Sequence, residues 1–281
     1  MGGEVAAPVI PRAVAGALAL TAGIAARASG PPGVVVSAVP EVASIQPGAA
    51  FRVAVRFTIP EGCHISWINP GQSGLPTTVA WRTPEGVKAA AVEWPFPERD
   101  ETAGIVNHVY RGEAVVVTRF VVDSSFRGSA VPLRAELSWG VCGATCVPQK
   151  GAVDVSLPVR PGLGEPTAAW RALAPSLEAL PVAASDLAVR AARRRGGARL
   201  TIAGRRLAPG GGTVVFFPLP GGAAVVAPAR YAAGTVTLVL PAAALRANPV
   251  AVRGVLVARQ PWLLGSHQRA LAIEAPFPEA P

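Results

Sequence analysis

Alternation of apolar and polar positions dominates the first half of the chain. In FRVAVRF (51–57), Phe51, Val53, Val55 and Phe57 fall on one face and Arg52 and Arg56 on the other. That is the period of a half-buried strand. Apolar runs at 34–39, 63–68, 77–82, 87–93, 114–122, 131–141 and 151–158 predict further strands. Turn-forming residues separate them: PEG at 60–62, NPGQSG at 69–74, TPEG at 83–86 and WPFPE at 94–98. Short strands at this spacing predict an antiparallel β-sandwich over residues 29–160.

The period then changes. In EPTAAWRALAPSLEALP (165–181), Trp170, Leu173, Leu177 and Leu180 recur at helical spacing. Pro166 suits a first helical turn, and Pro175 should split the helix. Residues 161–186 therefore read as a linker with a short helix that packs on a sandwich. Strand patterns return at 187–191, 199–204, 213–218, 223–229, 235–240, 250–258 and 270–275, which predicts a second, smaller β-sandwich over 187–281. That half has no cysteine and one histidine, His267, so a structural or partner-binding role is expected for it.

Composition supports a folded β protein. Hydrophobic residues make up 51% and charged residues 15%, enough for a real core. Thirty glycines and 29 prolines favour short strands over long helices. Residues 1–28 read as a signal peptide. Arg12 precedes the apolar AVAGALALTAGIA (13–25), and Ala26-Arg27-Ala28 gives a small-x-small cleavage pattern. An uncleaved N-terminal anchor is the alternative. No later apolar run escapes Pro, Gly or charge for about 18 residues. The expected location is the periplasm, where disulfides persist. The net charge of +9 comes mostly from arginines among Ala, Gly and Pro. The one basic cluster, RAARRRGGAR (190–199), lies between apolar runs like a solvated hairpin turn. No nucleic-acid partner is expected, and the protein is expected to be monomeric.

The chemistry concentrates in SWGVCGATCVPQK (138–150), which holds Cys142 and Cys146. On an extended strand the two would lie about 13 Å apart at 3.3 Å per residue. A disulfide needs a Cα separation of roughly 4.4–6.8 Å, so the chain must turn at 143–145. A loop this short removes little unfolded-state entropy, so the pair is a poor staple and a better switch. An alternative is a copper or zinc site of Cys142, Cys146, His64 and His108, although C-x3-C with scattered histidines matches no tight ligand spacing. The third cysteine, Cys63, reads as a small packed thiol.

CHISWINPGQSGLPTTVAWRTPEG (63–86), EWPFPE (93–98), YRGEAVV (110–116) and LSWGVCGATCVPQKG (137–151) occur in order. Over residues 40–160 this pattern resembles the N-terminal periplasmic domain of DsbD-like thiol:disulfide interchange proteins, and more closely their ScsB-type branch. VVFFPL (214–219) and VRGVLVA (252–258) extend the resemblance loosely into the second half. It implies an all-β fold of immunoglobulin-like sandwiches.

It also implies a protein-disulfide reductase-type oxidoreductase component that needs no cofactor. Cys142 and Cys146 would be the redox pair, with Cys146 the attacking thiol and Cys142 the resolving one. Trp139 would support the pair. A cap would come from about 107–110, with His108 and Tyr110 as its candidates. Lys150 and the net positive charge would favour a thiolate. Partners would be periplasmic thioredoxin-fold disulfide proteins and a membrane electron-transfer protein, the latter expected as a separate chain because no such domain precedes Pro281. The sequence departs from the family pattern at His108-Val109-Tyr110, where Tyr-Gly-Tyr is frequent, and at Cys63, where Trp is usual. The reading from residues alone keeps a second outcome open, a non-catalytic exported binding module with a permanent short disulfide.

Overall fold

A computed structural model describes residues 33–278 except 144, 163, 209–211, 220, 222–223 and 246–249. The expected signal peptide at 1–28 lies outside the described residues.

The first half contains β1 (Val35–Pro40), β2 (Ala50–Thr58), β3 (His64–Gly71), β4 (Thr78–Arg82), β5 (Val87–Ala89), β6 (Glu98–Thr102), β7 (Ile105–Tyr110), β8 (Glu113–Val122), β9 (Ala130–Cys142) and β10 (Cys146–Pro158). One sheet runs β1-β2-β8-β5. The facing sheet runs β10-β9-β3-β7-β6, with β4 added to β9. The pairings are antiparallel. Phe51, Val53, Val55 and Phe57 point inward as their alternation predicts, against Trp139, Leu137 and Ile65 of the other sheet.

The opposite face of the first sheet is covered as well. Ala54, Val115 and Val117 lie under Trp170 and Leu173, with Leu177 and Leu180 beside them. Of this helical stripe, Trp170 lies in α1 (Ala168–Ala172) and Leu177 in α2 (Ala174–Leu177), with Leu173 between the helices and Leu180 just beyond the second. The helix breaks at Leu173, and Pro175 starts the second piece, where its missing N–H leaves no bond unmade. The Thr167 side chain caps α1 by accepting from the Trp170 N–H at 3.0 Å. No helix among the described residues is long and apolar enough to cross a membrane.

The second half contains β11 (Val182–Ala183), β12 (Ala188–Arg194), β13 (Gly197–Ala203), β14 (Gly212–Pro218), β15 (Val225–Ala232), β16 (Thr235–Pro241), β17 (Ala251–Ala258) and β18 (Ala270–Pro276). The end of the expected linker, Val182–Ala183, pairs with β18. All of these strands join one sheet, in the order β11-β18-β17-β14-β15-β16-β13-β12. The sheet curls until β12 packs against β18, enclosing Leu200, Ile202, Phe216, Leu238, Leu240 and Leu256. The basic cluster at 190–199 is the β12–β13 hairpin, as its flanking apolar runs suggest.

The two halves share a core. Phe217, Val255 and Val257 of the curled sheet face outward and join the cluster that holds Trp67, Val106 and Tyr110. The Phe217 ring meets Trp67 and His108 edge-on, at 6.0 and 5.3 Å between centroids.

Candidate functional site

Cys142 ends β9 and Cys146 begins β10. They stand directly opposite one another, joined by a disulfide with their Cα atoms 4.0 Å apart. Between them the Gly143 N–H donates to the Thr145 carbonyl at 3.0 Å. The bond is asymmetric toward solvent: Cys142 is 4% exposed, whereas Cys146 is open to water.

Trp139 braces this hairpin from the interior. It sits one strand step before Val141, on the face opposite Cys142, and is fully buried. Its Nε1–H donates to Gln149 Oε1 at 3.1 Å across the β9–β10 pair. Its ring meets Phe57 edge-on at 5.7 Å. The indole needs the missing side chain of Gly151, because a Cβ there would come within 3.0 Å of the ring.

On the outer face, a row of polar groups runs sideways from the disulfide. His64 of β3 is directly opposite Cys142, so the two side chains share a face. Ile65 pairs with Tyr110, so Arg111 comes next after His64. Arg111 bonds Glu98 at 3.1 Å and Asp100 at 3.0 Å. His64 is half-buried, and its pKa is lowered, first by desolvation and then by the Arg111 charge, with Asp100 opposing. Lys150 points to the same side as Cys146 but lies four residues along β10. At about 13 Å it is beyond the screening length of roughly 8–10 Å, so it does not supply the local charge at the pair.

The loop after β3 folds over this same face. Thr77 donates to the Ser66 carbonyl at 2.5 Å. Ser73 bonds Asn107 Oδ1, and the Gln72 side chain accepts from the Val106 N–H at 2.6 Å. Gly74 has φ +97°, and a Cβ there would lie 2.8 Å from Ser66 Oγ, so only glycine lets the loop come this close. Leu75 rests on Gly140, one strand step before Cys142, with 47% of its surface still exposed.

The cap candidates lie elsewhere. Tyr110 pairs with Ile65, and both face inward, opposite His64 and Cys142. Its hydroxyl donates to the Pro95 carbonyl at 2.6 Å, and burial pushes its pKa well above the usual value. His108 shares that inward face. Its Nδ1 is 2.7 Å from the Asn69 carbonyl, and its Nε2 accepts the Ala224 N–H at 2.8 Å. Neither residue is brought to the disulfide; both hold the core and the contact between the halves. The four residues considered for a metal are likewise not assembled, since His108 faces away from the other three. Among the described residues no group of three or more His, Cys, Asp or Glu is placed to hold a metal. Cys63 is half-buried against the first core, with its sulfur beside Gly143.

Sequence reasoning missed two neighbours of the pair, the loop carrying Leu75 and the His64–Arg111 row. A signal for the first existed: QSGLP follows a strand end with a turn sequence and an apolar residue. Nothing in the sequence shows that His64 stands opposite Cys142, because 77 intervening residues contain the whole path between them.

The N-terminal periplasmic domain of ScsB from Proteus mirabilis is similar in fold, with a TM-score of 0.56 at 15% identity, over 90% of this chain and 98% of that one. The N-terminal domain of Neisseria meningitidis DsbD in its reduced form aligns with 46% of this chain and 90% of its own, at 20% identity and a TM-score of 0.27. No curated protein matched the chain. Residues 35–158 match the family described as thiol:disulfide interchange protein DsbD, N-terminal. That span holds the first sandwich, the covering loop and the cysteine hairpin, so residues 35–158 are similar to the N-terminal domain of that family.

Proposed function

We propose that Cys142 and Cys146 are a reversible dithiol–disulfide couple that exchanges electrons with thioredoxin-fold partners in the periplasm. The observation that carries this reading is the asymmetry of the bond. A thiolate attacks a disulfide in line with the S–S axis and must reach one sulfur. Cys146 offers that sulfur at a hairpin end, and Cys142 is shielded.

The exchange balances as follows. A partner thiolate attacks Cys146 Sγ, the S–S bond breaks, and its electron pair leaves on Cys142 Sγ. The partner's second thiol then attacks its own sulfur of the mixed disulfide and releases Cys146. The partner dithiol is oxidised and the pair is reduced by two electrons. In the other direction Cys146 attacks a partner disulfide and Cys142 resolves it. Trp139 packs behind the hairpin in both states. Thioredoxin-fold proteins and the dithiol of a membrane electron-transfer protein are the partner classes, and the chain works as a monomer.

The test is to equilibrate the full chain with glutathione or dithiothreitol buffers and to expose a Cys142→Ala variant to an oxidised thioredoxin-fold protein. A potential above about −300 mV, with a trapped mixed disulfide at Cys146, is expected. A lower potential with no trapped species would mean a permanent bond and a binding module.

A further inference from the structure

The reaction leaves one charge in an unfavourable place. Whenever Cys146 is attacked, the electron pair of the broken bond goes to Cys142, which is 4% exposed. A thiolate so shielded lacks hydration, and burial disfavours its charged form. Some group on the protein must therefore face that sulfur.

We propose that His64 is the proton-exchange partner of Cys142, donating a hydrogen bond to its thiolate as it leaves and taking its proton before it attacks. The inference rests on the thiol–disulfide reading above. Its basis is the register: His64 and Cys142 are directly opposite on neighbouring antiparallel strands. Side chains so placed have Cβ atoms about 4.5–5.5 Å apart, within reach of a ring nitrogen and a sulfur. The other charged groups on this face are spoken for or distant. Arg111 is bonded to Glu98 and Asp100, and Lys150 lies far along β10. Of the groups facing Cys142, an imidazole is the one that changes protonation near neutral pH. Desolvation and the Arg111 charge hold His64 toward its neutral form, against Asp100, so it has a free lone pair for a proton.

The proton follows a closed path. With the partner bound to Cys146 as a mixed disulfide, His64 takes the Cys142 proton and becomes imidazolium. The Cys142 thiolate attacks Cys146 Sγ and reforms the internal disulfide. The partner leaves as thiolate and is protonated by the imidazolium directly or through water. Reversal of these steps puts the proton back on Cys142.

The experiment uses the full chain with Cys63→Ala and Cys146→Ser, which leaves Cys142 as the one thiol, in its place. Its thiolate is followed by ultraviolet absorbance against pH, with and without His64→Gln. Loss of His64 is expected to raise the midpoint by about one pH unit, about tenfold less thiolate at neutral pH. In a His64→Ala version, added imidazole should restore part of the thiolate, which a merely structural role would not permit. His64→Asn serves if either variant melts at a lower temperature than its parent. Superimposable titrations with and without His64 would overturn the inference. Exchange of the unmodified disulfide with dithiothreitol separates the two readings. If exchange proceeds and the titrations coincide, only the His64 role fails. If the titrations differ and the disulfide resists exchange, the couple fails while the His64–Cys142 contact stands.

Discussion

His108 shows how far a single residue's role depends on what covers it. One ring nitrogen meets a carbonyl and the other accepts an N–H from the second half of the chain. Protonation would remove the lone pair that Ala224 needs. Burial accordingly lowers its pKa to about 4. Because the folded value lies below the ordinary 6.5, stability from this group is complete above about pH 6.5 and is lost as pH falls toward 4, on the order of 3 kcal/mol. Melting temperatures across that range should drop for the parent and show a shallower slope in His108→Leu, which has nothing to titrate there. Trp139 gives a second prediction at this scale. Trp139→Phe leaves buried Gln149 Oε1 unpaired and a gap beside Phe57, which should cost about 1–3 kcal/mol in denaturant unfolding. The Cys142–Cys146 bond should still form, because its strand register rests on backbone pairing.

At the level of elements, the hairpin and the loop over it divide the control of the pair. The hairpin fixes the two sulfurs, and Leu75 of the loop lies against Gly140, one strand step before Cys142. Leu75→Ala should therefore raise the rate at which a small thiol reduces the disulfide, by a few-fold if shielding adds less than about 1.4 kcal/mol to the barrier. Unchanged rates would show that the loop does not gate access. The elements hardest to read from sequence were β6 and β7. ERDET (98–102) has no apolar alternation, because β6 is an edge strand and charge there discourages pairing with other chains. Its turn uses Ala103 and Gly104, both at positive φ, in place of the Asn-Gly signal that would have marked a hairpin. Residues 107–110, the cap region that the resemblance implies, lie in β7.

The whole molecule adds a constraint that neither half carries alone. The second sheet docks on Trp67, Asn69 and His108, on the face of β3 and β7 that points away from the cysteines. Asn69 donates to the Pro218 carbonyl at 2.8 Å, and Phe217 fills the space between the two rings. The second half thus contacts the strand that carries His64 at Trp67 and Asn69. Phe217→Ala should separate the two halves energetically, costing about 3–5 kcal/mol. Calorimetry should then resolve two transitions where the parent gives one, while the potential of the cysteine pair changes little.

The sequence by itself determined the strands with clear two-residue alternation, the split helix, and the cysteine pair with its turn. Each of these depends on residues close together in the chain, where spacing alone sets which face a side chain takes. Tertiary structure decided which face of each strand was covered and what stood across from each sulfur. Ala54, on the same face of β2 as Arg52 and Arg56, is buried under α1. His108 looked like part of a cap and joins the two halves. His64 was one of four residues in the metal alternative and stands opposite Cys142. Those outcomes follow from strand order and register, which depend on residues far apart in the chain packing against one another, and local spacing does not encode them.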